Sequence, residues 1–265
     1  MKKKTILLIN IFLFLFLSTA YGKQSLTIVT VDMAPLFSEE NGLLTDIVRK
    51  SYENQGVDVH YSMYPLARIN WAISEKKSCI TIGTIRWFGE NFRERLFYIP
   101  IYIGRVHLFY MKSRFPDGLK FNSTEDLQKY RIGTVRGGAV QRALTTAGIT
   151  ENVTYVPTLK QNISMISRDR IDTFVLPLLI GMNTIDKYYS GPVSHFSYAP
   201  KPLFVDDFHV IFTESCIKEL ETFKKGFSEI INNGEYLNLI RSYFINGFIH
   251  DGLMVDKVRL MSTSD

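Results

Sequence analysis

The sequence is poor in the residues and patterns that most often carry chemistry. It has two cysteines, Cys79 and Cys216, and neither stands in a CxxC or CxxH pattern, which argues against a zinc site. The five histidines are scattered, which again argues against a metal site. No G-x-S-x-G, P-loop or H-E-x-x-H pattern is present, so the usual signatures of serine hydrolases, nucleotide-binding loops and metalloproteases are missing. No dense Lys/Arg stripe occurs, which removes the case for nucleic acid. Short repeats and low-complexity segments are also absent.

What is present begins at the N-terminus. Lys2, Lys3 and Lys4 precede an almost unbroken apolar run from Ile6 to Leu17. That run is roughly a dozen residues, where a membrane span needs about 20. Ser18, Thr19, Ala20, Tyr21 and Gly22 follow, with Ala20 and Gly22 at signal-peptidase spacing, so residues 1–22 read as a signal peptide cleaved near Gly22–Lys23. The competing reading is an uncleaved anchor. No Cys follows the apolar run, which argues against a lipid-anchored form. The composition, 46% hydrophobic and 22% charged, suits a chain that buries a core. The formal charge of +5 includes Lys2, Lys3 and Lys4, so the remaining 28 basic residues nearly balance 26 acidic ones.

Periodicity then gives a regular alternation. Leu26–Val31 reads as a strand, Gly42–Gln55 as an amphipathic helix, Val57–Met63 as a strand, Leu66–Lys76 as a helix and Cys79–Thr84 as a buried strand. This is the βαβαβ pattern of a mostly parallel sheet with helices on its faces. Tyr102–Lys112 is long, aromatic and without helical period, as a crossover strand would be. Alternation restarts after Ser123 and Asp126, which resemble a helix cap, with strands at Arg131–Val135, Val153–Pro157 and Asp172–Leu176. Helices at Gly138–Ala147, Leu159–Arg168 and Pro177–Lys187 separate or follow them. Phe204–Thr213 reads as a second crossover, and two helices, Glu219–Asn232 and Tyr236–Phe244, end the pattern.

The order of these signals resembles the type II periplasmic solute-binding proteins, in particular the family 3 group related to polar amino-acid receptors. The resemblance rests on Leu26–Thr30, Ala34–Phe37, Asn41–Ile47, Tyr64–Arg68, Gly83–Arg86, Arg93–Arg95 with Ile99–Tyr102, Ser123–Leu127, Arg131–Gly138 and Arg170–Asp172. It implies an α/β fold of two lobes, each a mostly parallel sheet with flanking helices, hinged by two crossover strands. Lobe 1 would comprise residues 23–108 and 207–265, and lobe 2 residues 109–206. It also implies a periplasmic monomer that closes on a small-molecule ligand and meets a membrane permease or membrane sensor, without a cofactor.

Ligands of open α/β sheets lie beyond the carboxyl ends of strands. That rule selects Met33, Gly83, Thr84 and Arg86 in lobe 1, and Arg136, Gly137, Gly138 and Pro177 in lobe 2, with Arg68 beside the Tyr64–Pro65 corner. The resemblance implies that an Arg after the third strand grips a ligand carboxylate, a geometry that suits the guanidinium fork. Arg86, Arg93 and Arg95 all stand as candidates. Gly137 and Gly138 before a helix would allow close backbone approach and an anion site, or simply a tight turn. Amino-acid receptors place an acid just after the third strand of lobe 2, where this chain has Leu176 and Pro177, so a carboxylate-bearing solute other than a standard α-amino acid is expected. Cys79 and Cys216 read either as a disulfide or as two separate buried thiols.

Delivery of a small polar, carboxylate-bearing solute to an ABC-type importer is the expected function. A stand-alone sensor for a membrane signalling protein and a periplasmic dehydratase-like enzyme are the rivals. Asp206, Asp207 and His209 form the one constellation that tempts an enzymatic reading, and their alternation along a predicted strand favours a structural role.

Overall fold

The computed structural model describes residues 24–243. The expected signal segment, residues 1–22, lies outside the described residues, as does the end of the chain from residue 244. Strand β1 (Gln24–Thr30) leads to helix α1 (Leu43–Glu53), strand β2 (Val57–Met63), helix α2 (Ile69–Ser74) and strand β3 (Ile80–Gly83). A short helix α3 (Glu90–Arg93) precedes the 16-residue strand β4 (Leu96–Met111). Then follow β5 (Ile132–Val135), α4 (Ala139–Thr146), β6 (Val153–Val156), α5 (Leu159–Ile166), β7 (Thr173–Pro177) and α6 (Leu178–Tyr188). The small strand β8 (Phe196–Tyr198), the long strand β9 (Phe204–Thr213) and helices α7 (Ile217–Asn232) and α8 (Glu235–Tyr243) complete the described chain.

The strands order as β2-β1-β3-β9-β4-β7-β5-β6, with β8 paired to β4. Strand β1 pairs in parallel with β2 and β3, and β5 in parallel with β6 and β7. The antiparallel pair β4 and β9 joins these two sets, with β9 against β3 and β4 against β7. Read outward from the central pair, each half therefore runs third, first, second strand. Two copies of one βαβαβ plan share a pair of crossover strands, so the continuous sheet is two lobes rather than one.

Helix α1 shows how pattern becomes packing. Leu43, Leu44, Ile47, Val48 and Tyr52 recur at helical spacing and all are buried, which gives the apolar stripe a surface helix needs. The ring of Tyr52 meets that of Phe223 on α7 with centroids 5.7 Å apart, and its hydroxyl donates to the Glu219 carbonyl at 2.9 Å. Cys79, just before β3, and Cys216, just before α7, lie with Cα atoms 5.8 Å apart and their sulfurs joined. Among the described residues no helix is long and apolar enough to cross a membrane, and no group of His, Cys, Asp and Glu is placed to hold a metal ion.

Candidate functional site

The carboxyl ends of β1, β3, β5 and β7 face one another across the junction of the halves. Between them lies a small cavity of about 50 Å³, lined by Met33 beyond β1, Thr84 beyond β3, Thr134 and Val135 at the end of β5, and Leu176 and Pro177 at the end of β7. Gly138, Ala139 and Ile180 contribute from the second half, Leu66, Trp87 and Phe37 from the first, and Phe204, Asp206 and Phe208 from the crossover strand. The walls are mostly apolar. Thr84, Thr134 and Asp206 supply the polar side chains of the lining.

Asp206 is the most perturbed of these. Strand alternation turns its side chain inward, so that only 4% of the residue is exposed, whereas neighbouring Val205 is 46% exposed. Its carboxylate accepts from the Thr84 hydroxyl at 2.8 Å and from Arg86 Nε at 3.2 Å. Burial pushes its pKa up to about 6, against the lowering effect of the Thr84 bond and the Arg86 charge. Desolvation disfavours the charged form, and here it outweighs one hydrogen bond and one partly exposed cation. Thr84 also accepts from the Arg86 backbone N–H at 3.2 Å, so three residues form one polar corner.

Sequence-based candidates fall into three groups. Met33, Thr84, Gly138 and Pro177 line the cavity. Gly83 lies under the Trp87 ring: a Cβ there would stand 2.0 Å from a ring carbon, so the glycine serves Trp87 packing. Gly137 has φ +85° and sits against Ala67 of the other half, where a Cβ would meet the Ala67 Cα at 2.7 Å. Its N–H is taken by the Gln141 side chain at 2.7 Å. Arg68 and Arg136 are exposed. Arg86 is held at the corner by Asp206, half of its side chain remaining exposed. Arg93 donates to the Phe88 carbonyl at 2.9 Å, and Arg95 is exposed.

Direct bonds bridge the halves. Asn183 Nδ2 on α6 donates to the Ala34 carbonyl at 3.1 Å, and Arg142 Nη2 on α4 donates to the Trp87 carbonyl at 3.0 Å. With Gly137 on Ala67 and Gly138 beside Leu66, these contacts define a closed arrangement of the lobes. Asp206 and Arg142 escaped sequence reasoning as site residues. Strand alternation was the available signal for Asp206; Arg142 sits on an amphipathic helix whose partner surface is 55 residues away in sequence.

This fold recurs in solved structures. The fold is that of the type II periplasmic binding proteins. A histidine kinase sensor domain with similarity to periplasmic binding proteins superposes with a TM-score of 0.72 at 14% identity, over 84% of this chain and 97% of that one. An ABC uptake transporter substrate-binding protein from Streptococcus pneumoniae, with bound histidine, gives 0.70 at 13% identity over 84% and 93%. The GluR0 ligand-binding core from Nostoc punctiforme, in complex with L-glutamate, gives 0.68 at 16% identity over 83% and 100%. These similar proteins are binding proteins and a sensor domain rather than enzymes. No protein-family model and no curated protein matches the sequence.

Proposed function

We propose that this chain is a periplasmic solute-binding protein that traps a small carboxylate-bearing solute by closing residues 23–108 and 207–265 against residues 109–206, and that it delivers the solute to an ABC-type importer. The carrying observation is the convergence of four strand ends on one cavity lined by Thr84 and Asp206, with Arg86 bonded to Asp206 from just outside that lining. At about 50 Å³ the cavity of this closed arrangement admits little more than water, so a solute enters as the halves part and is held in a closure wide enough to contain it. Ligand contacts made only in the closed form then shift the equilibrium toward closure.

Arg86 is the proposed carboxylate grip, because it stands at the corner and bonds Asp206 through Nε alone. Its terminal N–H groups suit a carboxylate. Phe37, Trp87 and Phe204 would cover the hydrocarbon part of the solute. Asp206 supplies from the crossover strand the acidic group that Leu176 and Pro177 do not, which brings amino-bearing carboxylates within the class. Chemistry on the solute is not part of the reading: Asp206 is the one acid or base in the cavity lining, and Thr84 and Arg86 already engage it.

A melting screen of the mature chain against organic acids, amino acids and short peptides tests this. Carboxylate-bearing solutes are expected to raise the melting temperature, and Arg86→Gln to abolish the rise. A shift produced only by solutes without a carboxylate would overturn it. Similarity to a histidine kinase sensor domain favours one second reading, a sensor that reports the same closure to a membrane signalling protein; solute-dependent binding to a kinase ectodomain rather than to a permease would select it.

A further inference from the structure

Beyond the cavity mouth lies a second groove, of about 330 Å³, lined by Arg86, Arg93 and Arg142 together with Thr124 and Thr146, and by no acidic side chain. Arg86 and Arg93 belong to the first half and Arg142 to the second. Their placement follows from one turn of chain. Arg93 Nε donates to the Phe88 carbonyl at 2.9 Å, and Arg142 Nη2 donates to the adjacent Trp87 carbonyl at 3.0 Å. Consecutive carbonyls thus each hold one guanidinium group, both arginines line the groove, and Arg86 directly precedes Trp87. The Arg86 guanidinium lies 5.6 Å over the Phe204 ring, and Phe204 lines both the cavity and this groove.

Each arginine has five N–H donors, and the bonds above use one apiece. Asp206 pairs with Arg86. Glu90 lines the adjoining groove that also contains Arg93 and Arg142, not this one. Holding like charges together is unfavourable, and an anion seated among them reverses that sign while accepting the remaining donors in bidentate fashion.

We propose that this groove is an anion site for a compact polyvalent oxyanion, a di- or tricarboxylate or a phosphate, gripped from both halves at once. An anion bound there ties Arg142 to Arg86 and Arg93 and so favours the closed arrangement. The site does not depend on a solute occupying the inner cavity.

Titration calorimetry of the mature chain with citrate, succinate and inorganic phosphate, against acetate at matched ionic strength, is the test. Polyvalent anions are expected to bind and acetate to bind at least tenfold more weakly. Arg93→Gln and Arg142→Gln should each weaken binding about tenfold, and added NaCl should weaken it progressively in the unmodified chain. Preference for citrate and succinate identifies a carboxylate ligand, and preference for phosphate identifies a phosphate ligand; either supports the site. Binding that survives both variants, or that added NaCl leaves unchanged, overturns it. If Arg86→Gln alone abolishes binding while Arg93→Gln and Arg142→Gln retain it, Arg86 grips the anion without the other two arginines, and this proposal fails while the preceding one stands. Should either glutamine variant not fold, the salt dependence in the unmodified chain still decides.

Discussion

The side-chain amide of Asn183 donates to the carbonyl of Ala34 at 3.1 Å, joining α6 of one half to the carboxyl end of β1 in the other. A bond of this kind contributes about 1 kcal/mol, and here it acts on the balance between open and closed lobes more than on either lobe's own fold. Asn183→Ala is therefore expected to leave the melting temperature nearly unchanged and to speed exchange of the hydrogen-bonded amides of Met33, Leu36 and Phe37. Unchanged exchange there would contradict the assignment.

Gly137 gives a sharper test of lobe contact. Its φ of +85° and its seat on Ala67 mean that Gly137→Ala adds both backbone strain and an interlobe clash, at a cost of about 2 kcal/mol. Gly56 has a similar φ of +74° with nothing near its absent Cβ, so Gly56→Ala should cost about 1 kcal/mol from strain alone. Chemical denaturation of both variants separates the effects. Equal losses would mean that Gly137 does not report on closure.

Asp206 predicts a pH dependence with a definite sign. Burial holds its pKa up to about 6 in the folded chain, whereas an unfolded Asp titrates near ~3.9. The folded chain keeps a proton that the unfolded chain releases between those values. This group's contribution therefore grows as pH falls from 7 toward 4 and is lost as pH rises through 6. From pH 7 to 5 the unmodified chain should gain on the order of 1 kcal/mol relative to Asp206→Asn, measured by denaturant melts at the two values. A gap that stays constant would remove Asp206 from the account.

Much of the architecture was legible because burial writes itself as period. Strands Val57–Met63 and Phe204–Thr213 were read with the bounds the structure gives, since each carries a run rich in β-branched or aromatic residues. The first crossover begins at Leu96 rather than Tyr102. Pro100 hid its start, and the structure accommodates that residue at a register shift between Pro100 and Tyr102, as proline in a strand requires. The expected helix over Leu66–Lys76 divides into a 3₁₀ turn at Leu66–Arg68 and a short helix at Ile69–Ser74, following Pro65. Strand Phe196–Tyr198 has three residues, too few for any period. At the site, strand ends were legible and partners were not. That Arg86 meets Asp206, or that Arg142 meets Trp87, depends on lobe geometry that no local pattern encodes.

Cys79 and Cys216, 137 residues apart in sequence, tie β3 to the start of α7 inside the first half. Bridging so long a loop restricts the unfolded chain strongly, and losing a native bridge of this kind costs about 3 kcal/mol. Cys79→Ser with Cys216→Ser should lower the melting temperature, and a thiol titration of the denatured, unreduced chain should find no free sulfhydryl. Two titratable thiols in protein recovered from an oxidising compartment would refute the pairing.

Closure of two α/β halves on a solute is most directly tested by small-angle X-ray scattering of the mature chain, with and without a carboxylate-bearing solute that raises its melting temperature. The radius of gyration is expected to fall on saturation, and Arg86→Gln to remove the change. A radius that stays constant or grows while the solute is demonstrably bound would contradict the hinge.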